Sequence, residues 1–152
     1  MKLLIVDDHG LVREGLKAIL GQSELQAQCL EAWDEMSIWQ CLQQHPDVNL
    51  VLLDIQLPGL SGMELLKRIV KEHPAMPIIM LSADHDSDTV SQALQWGASG
   101  FMPKNSLNQV LISAIRLVMA GGIYIPPEAL LKSAPKSAPL PTNKAALQLE
   151  SL

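Results

Sequence analysis

The run Leu3-Leu4-Ile5-Val6 stops abruptly on Asp7-Asp8. Four apolar residues are too few to cross a bilayer, which takes ~20. A short apolar run ended by polar residues reads instead as a strand buried on both faces. The pattern recurs along the chain: "NLVLLDI" (49–55) carries Asp54, "PIIML" (77–81) precedes Ser82, and the short "SGFM" (99–102) leads through Pro103 to Lys104. "QCLEA" (28–32) is a fainter strand of the same kind. Strands buried on both faces need helices above and below them, so the intervening segments must be helical.

Those segments carry helical signals. "LVREGLKAIL" places Leu11, Gly15, Ala18 and Ile19 on one face. "DEMSIWQCLQQ" (34–44) spaces Met36, Trp39 and Leu42 at three-residue intervals before His45-Pro46 stops it. "SGMELLKRIVKEH" (61–73) opens on Ser61 with Glu64 three residues on, a capping-box pattern. "DSDTVSQALQW" (86–96) ends at Gly97, and "LNQVLISAIRLVMAGG" (107–122) is stopped by two glycines. Five β-α units with right-handed crossovers predict an α/β fold, a doubly wound five-stranded parallel sheet with helices on both faces.

Composition narrows the function classes. Apolar residues are 48% and charged residues 18% of the 152, which suits a folded domain with a real core. The net charge is −5, and residues 1–125 alone hold 8 Lys+Arg against 14 Asp+Glu. That balance argues against a general nucleic-acid or membrane-surface binder. Five aromatics offer little to stack a flavin or bases against. The amino terminus lacks a signal-peptide pattern, and Cys29 and Cys41 form no CxxC, so reduced thiols in a cytoplasmic protein are expected.

The last 27 residues differ, holding Pro126, Pro127, Pro135, Pro139 and Pro141, half of the chain's prolines. "KSAPKSAPLPTNK" reads as an extended linker, and "AALQLESL" is too short to be a stable helix alone. The expected organisation is a domain over 1–125 and a linker over 126–152.

In a parallel sheet the carboxyl ends of the strands share one edge, where such folds place their ligand sites. Asp7, Asp8, Asp54, Ser82 and Lys104 therefore converge. Taken singly, each has a plainer reading: a helix N-cap for Asp7, Asp8 or Ser82, a turn residue for Asp54, a surface lysine for Lys104. Four strand ends carrying the pattern together favour a site. Three carboxylates within ~5 Å repel by about 3 kcal/mol per pair at an effective dielectric of 20. Such a cluster holds a proton or binds a cation, and all-oxygen ligands with few protein donors suit magnesium.

"IVDDH", "LVLLDIQLPGLSGMELL", "PIIMLSA" and "GASGFMPK" resemble the receiver domain of two-component response regulators, in order, from residue 2 to about 122. "DDHGLVREGL" and "MAGGIYIP" are similar to its NarL/FixJ branch, in which a linker leads to a LuxR-type helix-turn-helix that binds DNA. The resemblance implies a flavodoxin-like strand order, 2-1-3-4-5. It implies that Asp54 accepts a phosphoryl group from a sensor histidine kinase. Mg2+ would be held directly by Asp8, through water by Asp7, and by Asp54 and the backbone carbonyl of Gln56. Lys104 would pair with a phosphoryl oxygen, and Ser82 would donate its hydroxyl to another. Phe101 stands where the family places a Tyr or Phe whose ring turns inward on activation, though a plain core role is compatible. The fourth helix, fifth strand and fifth helix would then form a switched surface for partners or a homodimer. DNA would be met only through an output domain outside this chain, and no membrane is implied.

Two features depart from the family pattern. Lys104 is followed by Asn105 where many receivers carry proline, and Trp96 sits where a small residue is commoner. Packing is the expected role of Trp96, and a solvent-facing structural role that of His9. Rival classes fare worse. "DIQLP" lacks the DxDxT of haloacid-dehalogenase-like phosphohydrolases, and "DDHG" would repel the phosphate of a flavin. A signalling module, not an enzyme, is expected, either a receiver cut from a transcriptional regulator or a stand-alone receiver acting by protein contact.

Overall fold

The computed structural model describes residues 1–83, 86–127 and 129. Five parallel strands form one sheet: β1 (Lys2–Val6), β2 (Gln28–Ala32), β3 (Leu50–Asp54), β4 (Ile78–Ser82) and β5 (Gly100–Pro103). Their spatial order is β2-β1-β3-β4-β5, as expected. The helices are α1 (Gly10–Gly21), α2 (Glu35–Gln44), α3 (Gly62–Glu72), α4 (Ser87–Gln95) and α5 (Leu107–Met119). A two-residue antiparallel ribbon, Gln56–Leu57 with Leu60–Ser61, leads from β3 to α3, and a 3-10 turn, Lys104–Ser106, leads from β5 to α5.

Alternation along the strands builds two apolar layers. Leu4, Val6, Val51, Leu53, Met80 and Phe101 face α2, α3 and α4, while Leu3, Ile5, Leu50, Leu52, Ile79 and Leu81 face α1 and α5. Full burial of each such side chain contributes about 1.5–3 kcal/mol. Charged residues are absent from the interiors of β1, β3 and β4, where neither face is wet, while the half-exposed edge strand β2 carries Glu31.

The helix faces need two corrections. On α1 the buried residues are Leu16 and Leu20, with Val12 and Ile19 half-buried beside them, and Leu11 is 87% exposed. The set 12, 16, 19, 20 satisfies the helical period as well as the set headed by Leu11, and only the sheet beneath decides between them. On α2, Ile38, Cys41 and Leu42 are buried while Met36 is exposed. Steps of three residues drift about 60° each around a helix, so Met36 lies far from Leu42.

The capping signals also shift. Ser61 accepts from the Met63 amide, without the Glu64 reciprocity expected of it. A complete capping box lies instead at α2, between Asp34 and Ser37. α5 ends at Met119 and is stopped by the two glycines as expected: Gly121 takes φ +94°, and the Gly121 and Gly122 amides fold back to Val118 O and Leu117 O.

After α5 the chain turns along the outer edge of β5. The Tyr124 amide donates to Ser99 O and the Phe101 amide to Tyr124 O, which covers an otherwise open strand edge. Ala129 is buried against the same core as Phe101. Of the stretch expected to be linker, only Pro126, Pro127 and Ala129 are described; "KSAPKSAPLPTNK" and "AALQLESL" lie outside the described residues. Cys29 and Cys41 are free thiols, half-buried and buried, and burial pushes both up in pKa. Among the described residues, no helix is long and apolar enough to cross a membrane.

Candidate functional site

Register aligns the strand ends. Val6 pairs with Leu53, Asp54 with Leu81, and Ser82 with Pro103. Asp7, Asp54, Ser82 and Lys104 therefore each stand at or one step past the same edge of the sheet. Asp7 and Asp54 are buried, Asp54 retaining 2% of its surface, and Ser82 is also buried. Asp8 and Lys104 are half-buried at the rim.

Asp7, Asp8 and Asp54, with His9, bring one ligand atom each to within 4.8 Å of one another. The Lys104 ammonium bridges the two buried acids, 3.0 Å from Asp7 Oδ2 and 3.2 Å from Asp54 Oδ2. On the other side, His9 Nδ1 lies 3.0 Å from Asp7 Oδ1 and 3.1 Å from Asp8 Oδ1. The His9 ring is 64% exposed, so it is solvent-facing as expected, yet it also touches both acids. The His9 amide donates to Asp7 Oδ1 (2.8 Å) and the Gln56 amide to Asp54 Oδ1 (3.2 Å).

One ammonium serving two buried carboxylates leaves a charge imbalance. Burial raises the Asp54 pKa, and the Asp7 carboxylate raises it further, against the opposing Gln56 amide and Lys104. Burial pulls Lys104 down, but Asp7 and Asp54 outweigh it and the net shift is upward. In a simple ion pair the acid would move down; here burial first, and the second acid after it, reverse its direction. Three of the carboxylate oxygens, Asp7 Oδ2, Asp8 Oδ1 and Asp54 Oδ2, accept no well-directed hydrogen bond. Buried acceptors left in this condition, all oxygen and all anionic, fit a hard divalent cation of the magnesium kind.

Residues 3–116 match the response regulator receiver domain family. The chain belongs to that family. This receiver is 33% identical over 152 residues to response regulator GacA of Pseudomonas syringae, covering 99% of this chain and 70% of GacA. It is 34% identical over 129 residues to the glycerol metabolism activator of Pseudomonas putida, covering 85% of this chain and 58% of that protein's length. Its fold superposes with TM-score 0.81 on a LuxR-family two-component response regulator from Aurantimonas, at 27% identity over 90% of this chain and 96% of that one. Receiver domains are signalling modules, not true enzymes; they partner histidine kinases and bind Mg2+ at an acidic pocket, and this receiver carries such a cluster of aspartates.

Two expected switch residues fall differently. Ser82 lies at the edge of the site, buried at the end of β4. Phe101 is fully buried in the layer beneath α4, so its ring is already inside. Trp96 packs against that layer and carries the Lys67 ammonium 4.5 Å over its ring.

Gly62 was not among the residues singled out from the sequence, although it bears directly on Asp54. A Cβ at this position would sit 2.3 Å from the Asp54 carbonyl oxygen and 2.6 Å from Ile55 Cα. The signal available was a glycine at the first position of a helix, directly after its N-cap, where better helix formers are the rule.

Proposed function

We propose that this chain is the phosphorylation-controlled receiver of a two-component transcriptional regulator, taking a phosphoryl group from a sensor histidine kinase onto Asp54. The observation that carries the reading is the Lys104 ammonium bridging Asp7 and Asp54 inside a three-aspartate cluster. A solvated surface lysine would not be drawn between two buried acids.

An Asp54 oxygen attacks the phosphorus of the donor phosphohistidine. The O–P bond forms as the P–N bond breaks, and the imidazole nitrogen leaves with the electron pair. Asp8, Asp7 through water, Asp54 and the Gln56 carbonyl would hold Mg2+, whose charge offsets the repulsion between an anionic nucleophile and a phosphoryl group. Lys104, already beside Asp54, supplies a point charge for a phosphoryl oxygen. Ser82 donates its hydroxyl to another, drawing the loop after β4 inward. The pull on Ser82 and Lys104 would bias the surface of α4, β5 and α5, of which Phe101 forms the buried floor. The group is taken up on the chain's own aspartate and later lost to water, with no separate substrate turned over, so the chain is a signalling module.

Residues 1–125 form the receiver on this reading, and 126–152 lead towards a helix-turn-helix output. Phosphorylation-dependent homodimers and DNA contact through the output domain follow, in the cytoplasm and away from membranes. The LuxR-family likeness supports that output.

The test is intact mass after incubation with Mg2+ and acetyl phosphate. One phosphoryl adduct, lost on hydroxylamine treatment, is expected; no adduct would sink the reading. Lys104→Ala provides a second check. It leaves two buried carboxylates without their cation and lowers apo stability by about 2 kcal/mol, less than a fully buried pair because Lys104 is partly solvated. Its Mg2+ affinity stays within about threefold of wild type, since a competing cation has gone along with a favourable contact. A Lys104→Ala chain as stable as wild type in urea would show that the bridge holds nothing.

A further inference from the structure

Glu31, on β2, and Arg13, on α1, lie outside the acid cluster but are joined to it. The Arg13 Nη1 donates to the Asp7 carbonyl oxygen at 2.6 Å while its Nε donates to Glu31 at 2.8 Å. The guanidinium also lies over the exposed Trp33 ring, 5.8 Å from its centre. Lys17 holds the other Glu31 oxygen at 2.9 Å. The Asp7 amide donates to the carbonyl of Ala32, the residue after Glu31. Both ends of Asp7's backbone are thus pinned to β2, one directly and one through Arg13.

We propose that Arg13 is a positioning residue for the acid pair: its guanidinium ties the Asp7 carbonyl to the Glu31 carboxylate and fixes the direction in which Asp7 and Asp8 face a divalent cation. The Asp7 carbonyl belongs to the peptide plane that joins the two acids. Holding that plane sets ψ of Asp7 and φ of Asp8, and hence where both side chains leave the backbone. Arginine suits the task because its planar fork reaches two acceptors at once, which a lysine ammonium on a flexible stem does less well. Groups that orient metal ligands without touching the metal commonly cost 10–100-fold in affinity when removed. The inference rests on the acid cluster being the magnesium site.

The experiment follows Tm against magnesium concentration for the full chain, which yields both the apo stability and the Mg2+ Kd. Arg13→Met is expected to raise Kd about tenfold, equivalent to about 1.4 kcal/mol. Arg13→Lys raises it about threefold, as one of two contacts is recovered. Lys17→Met, which strips an ion pair from the same Glu31 but leaves the Asp7 carbonyl held, stays within about twofold of wild type. An Arg13→Met chain with wild-type Kd overturns the role, whatever its apo Tm. So does a Lys17→Met chain with an equal rise, because the effect would then be a general weakening of the β2 brace. If Arg13→Met does not fold, Arg13→Lys and Glu31→Gln carry the comparison, and a wild-type Kd in both overturns it. A wild-type chain whose Tm ignores magnesium removes the magnesium site itself and this role with it.

Discussion

The Asp54→Asn chain is expected to take up no phosphoryl group under conditions in which the wild-type chain takes up one, and to melt higher than wild type without magnesium. The first result follows from chemistry. An amide of the same shape keeps the Gln56 contact but offers no anionic oxygen to attack phosphorus. The second follows from charge. Burial and the Asp7 carboxylate raise the Asp54 pKa, so the folded state favours the protonated acid. Its stabilising contribution is present at low pH and is lost as pH rises from the ordinary carboxylate value through the raised one. At neutral pH the ionised group is therefore a net cost to the fold. Asparagine removes that cost and lets Lys104 serve Asp7 alone. A gain of about 1 kcal/mol corresponds to a Tm rise of about 2–4 °C.

Magnesium is expected to reverse the order of the two chains. A ligand at 100 times its Kd stabilises by about 2.7 kcal/mol, and the wild-type site, with all three acids, gains most of it. Melting both chains with and without Mg2+ checks the crossing. A phosphorylated Asp54→Asn chain would move the acceptor elsewhere. An apo Tm below wild type would mean that the Lys104–Asp54 pair outweighs the burial of the acid.

The strands and the acid edge were legible because they depend on local pattern. A run such as Leu50–Leu53 is buried on both faces wherever it lies, and parallel connectivity then brings its terminal Asp54 beside Asp7 without further information. The α1 face was misjudged because two registers, one from Leu11 and one from Val12, fit the same helix, and the choice is made by Leu3, Ile5 and Leu52 on a distant surface. The Arg13 contact left no trace because its acceptor is a backbone carbonyl, which every residue has. The capping box at Asp34 was overlooked because Ser37, not the usual Glu or Gln, closes it. Pattern reports which residues are buried; it does not report which backbone atoms they are buried against.

Gly62→Ala shows the same limit as a matter of sign. By helix propensity alone, alanine improves a helix by about 1 kcal/mol over glycine. At Gly15, in the middle of α1, nothing lies within 4 Å of an added Cβ, and Gly15→Ala is expected to stabilise by about 0.5–1 kcal/mol. At Gly62 the added carbon would meet the Asp54 carbonyl oxygen at 2.3 Å, Ile55 Cα at 2.6 Å and the Ile55 carbonyl oxygen at 2.7 Å. All three are backbone atoms, so no side chain can rotate away. The Gly62 amide also donates to Ile55 O at 2.6 Å, which holds the start of α3 against the end of β3. Overpacking of this kind costs about 1–3 kcal/mol and more where backbone must shift, so the contact term exceeds the propensity term and the sign reverses. Gly62→Ala should lose about 2–3 kcal/mol in urea unfolding. The backbone that gives way carries Asp54, so uptake from acetyl phosphate should also slow at temperatures where the variant is still folded. Equal stabilisation by Gly15→Ala and Gly62→Ala would mean that α3 can retreat from β3 freely, and that Asp54 is held in place by its side-chain contacts alone.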